Sequence, residues 1–199
     1  ELNAELKSDY TFIDAILTHL LTQKIEEHNP TIAIITAPFP GNVYGALRCG
    51  GFIKENYPDI KISLGGGYAN TELRSISDPR VFNYIDFITL DDGEAPIKHL
   101  LNYLDNSEII NLKRTFMLMN DEVKFFDNST EKDIAQRDVG TPDYADLLTD
   151  KYLSVLEIAN PMHRLWSDGR WNKLTLAHGC YWGKCSFCDI SLDYIERYE

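Results

Sequence analysis

The stretch Thr31-Ile-Ala-Ile-Ile-Thr36-Ala-Pro-Phe-Pro-Gly-Asn42 decides the fold. Its first half is a continuous apolar run bounded by Pro30 and Pro38. Such a run predicts a strand buried on both faces, as in a parallel sheet covered by helices on its two sides. Its second half carries two prolines and a glycine and predicts a loop.

Upstream, apolar residues recur at Phe12, Ile13, Ile16, Leu17, Leu20, Leu21 and Ile25. This is a helical period and predicts a helix over Tyr10 to Glu27 with one buried face, capped by Asp9 or Ser8. Downstream, a helix is expected from about Val43 to Asn56. Lys61-Ile-Ser-Leu64 predicts a second strand, ending in Gly65-Gly66-Gly67, and a short helix follows around Asn70 to Ile76. Tyr84 to Leu90 predicts a third strand and Glu94 to Leu104 a helix. Strands alternating with helices at this spacing imply right-handed βαβ units in an α/β domain with an open parallel sheet over residues 1–110. In such sheets ligands sit beyond the carboxyl ends of the strands. Three loops lie there, with Pro40, Gly41 and Asn42 in the first, Gly65, Gly66 and Gly67 in the second, and Asp92, Gly93 and Glu94 in the third. Their glycines would let a flat ligand approach the backbone closely.

Residues 111–170 read as hairpin and linker. Thr115 to Met119 and Val123 to Phe126 flank Asn120-Asp-Glu122. Asp127 to Asp143 is polar, and Tyr144 to Ile158 predicts one or two short helices. Arg164, Trp166, Arg170 and Trp171 form a basic-aromatic cluster, readable as packing or as a substrate edge.

Residues 171–199 hold three of the four cysteines within nine residues, in Lys173-Leu-Thr-Leu-Ala-His-Gly-Cys180-Tyr-Trp-Gly-Lys-Cys185-Ser-Phe-Cys188. Leu174 to Ala177 reads as a strand feeding the loop, and Leu192 to Glu199 as the start of a helix. Thiolates are soft metal ligands, and three so close in sequence can converge on one inorganic centre. Phe187 lies between the last two. Three thiolates with His178 or His163 would also make a tetrahedral zinc set. Disulfide pairing would need an oxidising compartment, and no signal peptide is visible.

The cysteine loop resembles the cluster-binding loop of radical S-adenosylmethionine enzymes, C-x-x-x-C-x-aromatic-C. Cys185-Ser-Phe187-Cys188 matches its second half, while Cys180 stands one residue farther away than the pattern has it. The resemblance implies a 4Fe–4S cluster on Cys180, Cys185 and Cys188, S-adenosylmethionine on the open iron with Phe187 near its adenine, and reductive cleavage to a radical that abstracts hydrogen from a substrate. It further implies the start of a β/α barrel at residues 171–199. Pro30 to Leu104, with its strand-Gly-Gly-Gly loop and Thr89-Leu-Asp-Asp-Gly-Glu94, resembles the Rossmann-like cobalamin-binding domain that precedes the barrel in one branch of that family. This implies that the three loops face a corrin ring. The D-x-H-x-x-G motif is absent from the loop after the first strand, so cobalamin would bind without a lower histidine. Cys49, isolated in a predicted helix, fits a small core residue and weighs against the methylthiotransferase branch.

Bulk properties set the remaining expectations. The net charge of −12 argues against a nucleic-acid partner, since neutralising phosphates needs clustered Lys and Arg. No apolar run approaches the roughly 20 residues that span a bilayer, which predicts a soluble, cytoplasmic protein with no membrane partner. The chain opens without Met and stops inside a predicted helix, so a fragment, inactive alone, is expected. Expected partners are a small-molecule substrate and an electron donor such as flavodoxin or ferredoxin. The alternative is a non-catalytic Rossmann-like binding module with a structural zinc site.

Overall fold

The computed structural model describes residues 1–106, 111–145, 175–186 and 188–199. They form two compact units, Glu1–Asp133 and Ile134–Glu199.

The first unit is an α/β domain. Its elements are α1 (Leu2–Leu6), α2 (Phe12–His28), β1 (Ile32–Thr36), α3 (Val43–Asn56), β2 (Lys61–Gly65), α4 (Gly67–Glu72), β3 (Phe87–Thr89), α5 (Glu94–Asn106), β4 (Thr115–Met119) and β5 (Glu122–Phe126). The five strands make one sheet in the order β1-β2-β3-β4-β5. β1, β2 and β3 run parallel, with Ile35 beside Leu64 and Leu64 beside Ile88. β4 and β5 run antiparallel, with Ile88 opposite Phe116 and Phe116 opposite Phe125. The sheet is therefore mixed, not wholly parallel. The hairpin assigned to the connecting segment instead extends the sheet, because its two-residue turn lets β5 return directly alongside β4. Asn120 and Asp121 both take positive φ there, the geometry that matches strand twist.

Successive residues of a strand point to opposite faces, and the two faces are filled separately. Ile62, Leu64, Ile88 and Phe116 join Ala46, Leu47 and Ile53 of α3 in one cluster. Phe87 and Met117 join Leu100 of α5 and Leu112 in the other. β1 lies at the edge, and Ile34 is 50% exposed, so the expectation of burial on both faces fails there.

α2 begins at Phe12 on a Thr11 cap, not on Asp9 or Ser8. The Thr11 side chain accepts from the Asp14 amide and the Asp14 carboxylate accepts from the Thr11 amide, a closed capping box. The helix turns a polar face inward. Asp14 and Thr18 are buried together with Ile25, whereas Phe12, Ile13, Ile16 and Leu20 are exposed. The cause is Arg48 of α3. Its Nε lies 3.5 Å from Asp14 Oδ1, and its two terminal nitrogens donate to the carbonyls of Leu6 and Glu5 at 2.9 and 3.0 Å. Tyr44 donates its hydroxyl to Asp14 at 2.9 Å. One buried guanidinium thus ties α1 and α2 to α3, and Asp14 must face inward to balance it.

The other boundaries shift modestly. α4 starts at Gly67, earlier than expected, and β3 is shortened to Phe87–Thr89, with a 3-10 turn over Pro79–Asn83 ahead of it.

In the second unit, a 3-10 turn covers Gln136–Asp138 and one helical turn, α6, covers Asp193–Glu196. Residues 175–177 are irregular and exposed, where a strand was expected. No described residue offers them a ladder partner, and an unpaired extended segment is not a strand.

Removing Arg48 strands a buried carboxylate. Arg48→Met should cost about 3–5 kcal/mol in urea denaturation. Burial raises the Asp14 pKa, but hydrogen bonds from Thr11 and Tyr44 and the charge of Arg48 outweigh it and hold the value below the usual one. A carboxyl depressed in the folded state contributes stability above its unfolded pKa, near 4, and loses it as pH falls toward the folded value. Stability should therefore drop on acidification below about pH 4, and Asp14→Asn should flatten that drop.

Candidate functional site

Two places merit chemical scrutiny. The first is the carboxyl edge of the parallel strands. The loop after β1 and the loop after β2 are bonded to each other: the Ala37 amide donates to Gly65 O at 2.9 Å, and the Tyr68 amide donates to Ala37 O at 3.0 Å. A Cβ on Gly66 (φ +95°) would meet Thr36 Cγ2 at 2.8 Å, and one on Gly67 would meet Pro38 O at 2.7 Å. A Cβ on Gly65 would lie 3.2 Å from Thr89 Oγ1. The triple glycine is thus accounted for by the chain's own close packing. Gly41 and Gly93 differ. Among the described residues nothing lies within 4 Å of the Cβ either would carry, neither takes positive φ, and both are exposed. No contact among the described residues requires glycine at these two positions.

The third loop is braced by polar contacts. Asp91 takes φ 64°, and its amide donates to Asn70 Oδ1 at 2.7 Å, tying the loop after β3 to α4, the helix that follows the second loop. Its carboxylate pairs with Arg74, and with Arg114 Nε at 3.2 Å. Arg114 also pairs with Asp133 at 2.7 Å. The three loops therefore form one edge. Pro40, Gly41, Asn42, Gly93 and Glu94 stand exposed on it and Asp92 partly so, while Gly65 and Gly66 are half-buried beneath. Phe39 is 71% exposed on the first loop, a residue sequence reading passed over. A cavity of about 350 Å³ is lined by Val43, Leu47, Leu64, Tyr68 and Val81 together with the charged Glu1, Asp78 and Arg80.

The second place is the cysteine loop. Cys180, Cys185 and Cys188 are free thiols, each half-buried. The Gly183 amide donates to Cys180 Sγ at 3.4 Å, with Gly183 at φ 58°. Gly179, at φ 78°, has no room for a side chain, because a Cβ would fall 1.9 Å from Arg197 O. The segment is pinned to the end of the chain: the Cys180 amide donates to Ile195 O at 2.9 Å, and His178 and Glu199 exchange two backbone bonds at 2.9 Å. Among the described residues, no three His, Cys, Asp or Glu side chains are gathered to hold a metal ion. The donor types fit a metal centre, but the three sulfurs are not gathered around one point. Phe187, His163 and the cluster Arg164, Trp166, Arg170 and Trp171 lie outside the described residues. Cys49 sits half-buried in α3, where burial pushes its thiol up, as suits an inert core residue.

No family model, no curated protein and no solved structure matches this chain. Among the described residues no helix is long and apolar enough to cross a membrane.

The two kinds of glycine separate experimentally. Gly66→Ala should lose about 1–3 kcal/mol in chemical denaturation. Gly41→Ala and Gly93→Ala should stay within about 0.5 kcal/mol of the parent.

Proposed function

We propose that this chain is part of a radical S-adenosylmethionine enzyme, with Cys180, Cys185 and Cys188 as the protein ligands of a 4Fe–4S cluster. One observation carries the reading: three free, half-buried thiols lie within nine residues, and one sulfur already accepts a backbone N–H. Hydrogen bonds to ligating sulfurs are among the levers that tune such centres. When bound, the cluster would supply the electron for reductive cleavage of S-adenosylmethionine. The chain's part is to hold and orient. Gly179 and Gly183 take the left-handed backbone that wraps the loop around Cys180, and the bonds to Ile195 and Glu199 anchor its first half. An electron donor such as flavodoxin or ferredoxin, a small-molecule substrate and a cytoplasmic location belong to the same proposal.

The first unit is read as a Rossmann-like ligand-binding domain whose exposed edge at Gly41 and Gly93 lets a flat ligand approach the backbone. Cobalamin is the ligand that the resemblance suggests. The loop Ala37 to Asn42 offers it no histidine, so it would be held without a lower histidine ligand.

Anaerobic reconstitution with iron and sulfide tests the cluster. The parent should take up iron and sulfide in equal amounts and gain a broad absorption band at the blue end of the visible spectrum. Cys180→Ala, Cys185→Ala and Cys188→Ala should each lose it, while Cys49→Ala keeps it. Incorporation indifferent to the three loop cysteines would overturn the assignment.

A further inference from the structure

The main core of the first unit is not filled throughout. Val43, Leu47 and Leu64, each at most 7% exposed, belong to that core, and Tyr68, Val81 and Tyr84 pack against it. All six also line the cavity of about 350 Å³. Protein interiors hold few voids larger than a water molecule, and small-molecule sites begin at about this size. Leu64 is the penultimate residue of β2, Val43 the first of α3 and Tyr68 the second of α4. These lining residues therefore stand at the carboxyl end of a parallel strand, where sheets of this kind bind ligands.

The walls are held in place by contacts that do not need the space to be filled. α1 contributes Asn3 and Leu6 to the lining. It is fixed by Arg48, which donates to the carbonyls of Leu6 and Glu5 at 2.9 and 3.0 Å. Tyr84 is fixed by close backbone approach. A Cβ on Gly50 of α3 would fall 2.2 Å from Tyr84 O, and one on Gly51 would fall 3.1 Å from Tyr84 Cδ1. The Tyr84 hydroxyl then donates to Asn3 Oδ1 at 3.2 Å, joining the two walls.

The lining also sets the class of molecule that fits. Its buried part is aliphatic, and a charged group would lose its water there without return. Arg80 brings a positive charge, but its Nε donates to both Asp78 carboxylate oxygens at 2.9 Å. Glu1 adds a further carboxylate. An anion would thus meet two acids and a guanidinium already engaged. Asn3 and the two tyrosines can hydrogen-bond a neutral polar group. We propose that this cavity is a binding site for a neutral small molecule with a compact hydrocarbon body and one hydroxyl or carbonyl group. This inference does not rest on the cofactor reading.

Methyl-detected nuclear magnetic resonance of the full chain, titrated with straight-chain 1-alkanols from butanol to dodecanol, tests it. The methyl signals of Val43, Leu47, Leu64 and Val81 should shift and saturate. Affinity should climb roughly fourfold per added methylene and then stop climbing once the chain outgrows the cavity. Octanol should bind at least about tenfold more tightly than octanoate. Val81→Trp and Ile76→Trp, each filling the space from a half-buried position, should weaken octanol by about tenfold or more, with circular dichroism like the parent. Leu101→Trp, on an exposed position of α5, should leave binding unchanged. The proposal is overturned by shifts that never saturate, or by affinity that rises without a break to dodecanol, which is partition onto apolar surface only. Octanoate binding as tightly as octanol would overturn it too, as would folded Val81→Trp and Ile76→Trp variants that bind octanol like the parent.

Discussion

The backbone contact between Ala37–Pro38 and Gly65–Gly67 is the constraint on which the candidate edge depends. Two loops leaving adjacent parallel strands normally diverge, because each must clear the other's side chains. Here the second loop has none at three successive positions, so the Ala37 and Tyr68 amides close a short bridge between the two. Asn70, placed by the helix that follows, then reaches the Asp91 amide and fixes the third loop. Loops so fixed present Gly41 and Gly93 on one edge without requiring either to be glycine for packing. The glycines of the second loop are thereby separated from two at which a Cβ would meet no described atom within 4 Å.

The apolar runs at residues 31–36, 61–64 and 84–90 were legible as strands because burial is written locally, residue by residue. Their neighbours were not. Whether a strand sits in the middle or at the edge depends on which segments pair with it, and nothing in Ile-Ala-Ile-Ile-Thr distinguishes the two. The hairpin's turn was readable in Asn120-Asp121, but its docking onto β3 was not, since that depends on Phe116 and Met117 filling opposite clusters. Helix α2 failed most instructively. Its apolar period pointed one face inward, and a single charge pair with a partner 34 residues away turned another face there. Periodicity weighs hydrophobic area alone, whereas an unbalanced buried guanidinium costs more than several exposed aliphatic side chains recover.

The candidate sites divide in the same manner. The cysteines were visible from spacing, because ligand chemistry is a property of residue type. The supporting contacts were invisible: Gly183 donating to Cys180, Gly179 against Arg197, and Arg114 bridging Asp91 and Asp133 all join residues through geometry. The triple glycine was visible but ambiguous, and its close contacts with Thr36, Pro38 and Thr89 account for it as a packing device.

The measurement that bears most directly on the account is electron paramagnetic resonance of the anaerobically reconstituted, reduced chain, recorded with and without S-adenosylmethionine. A site-differentiated cluster on Cys180, Cys185 and Cys188 predicts a reduced-cluster signal whose shape changes when S-adenosylmethionine is added. A chain that instead holds zinc stoichiometrically, resists its replacement by iron and gives no such signal would contradict the radical reading and leave the cysteine loop as a structural metal knuckle.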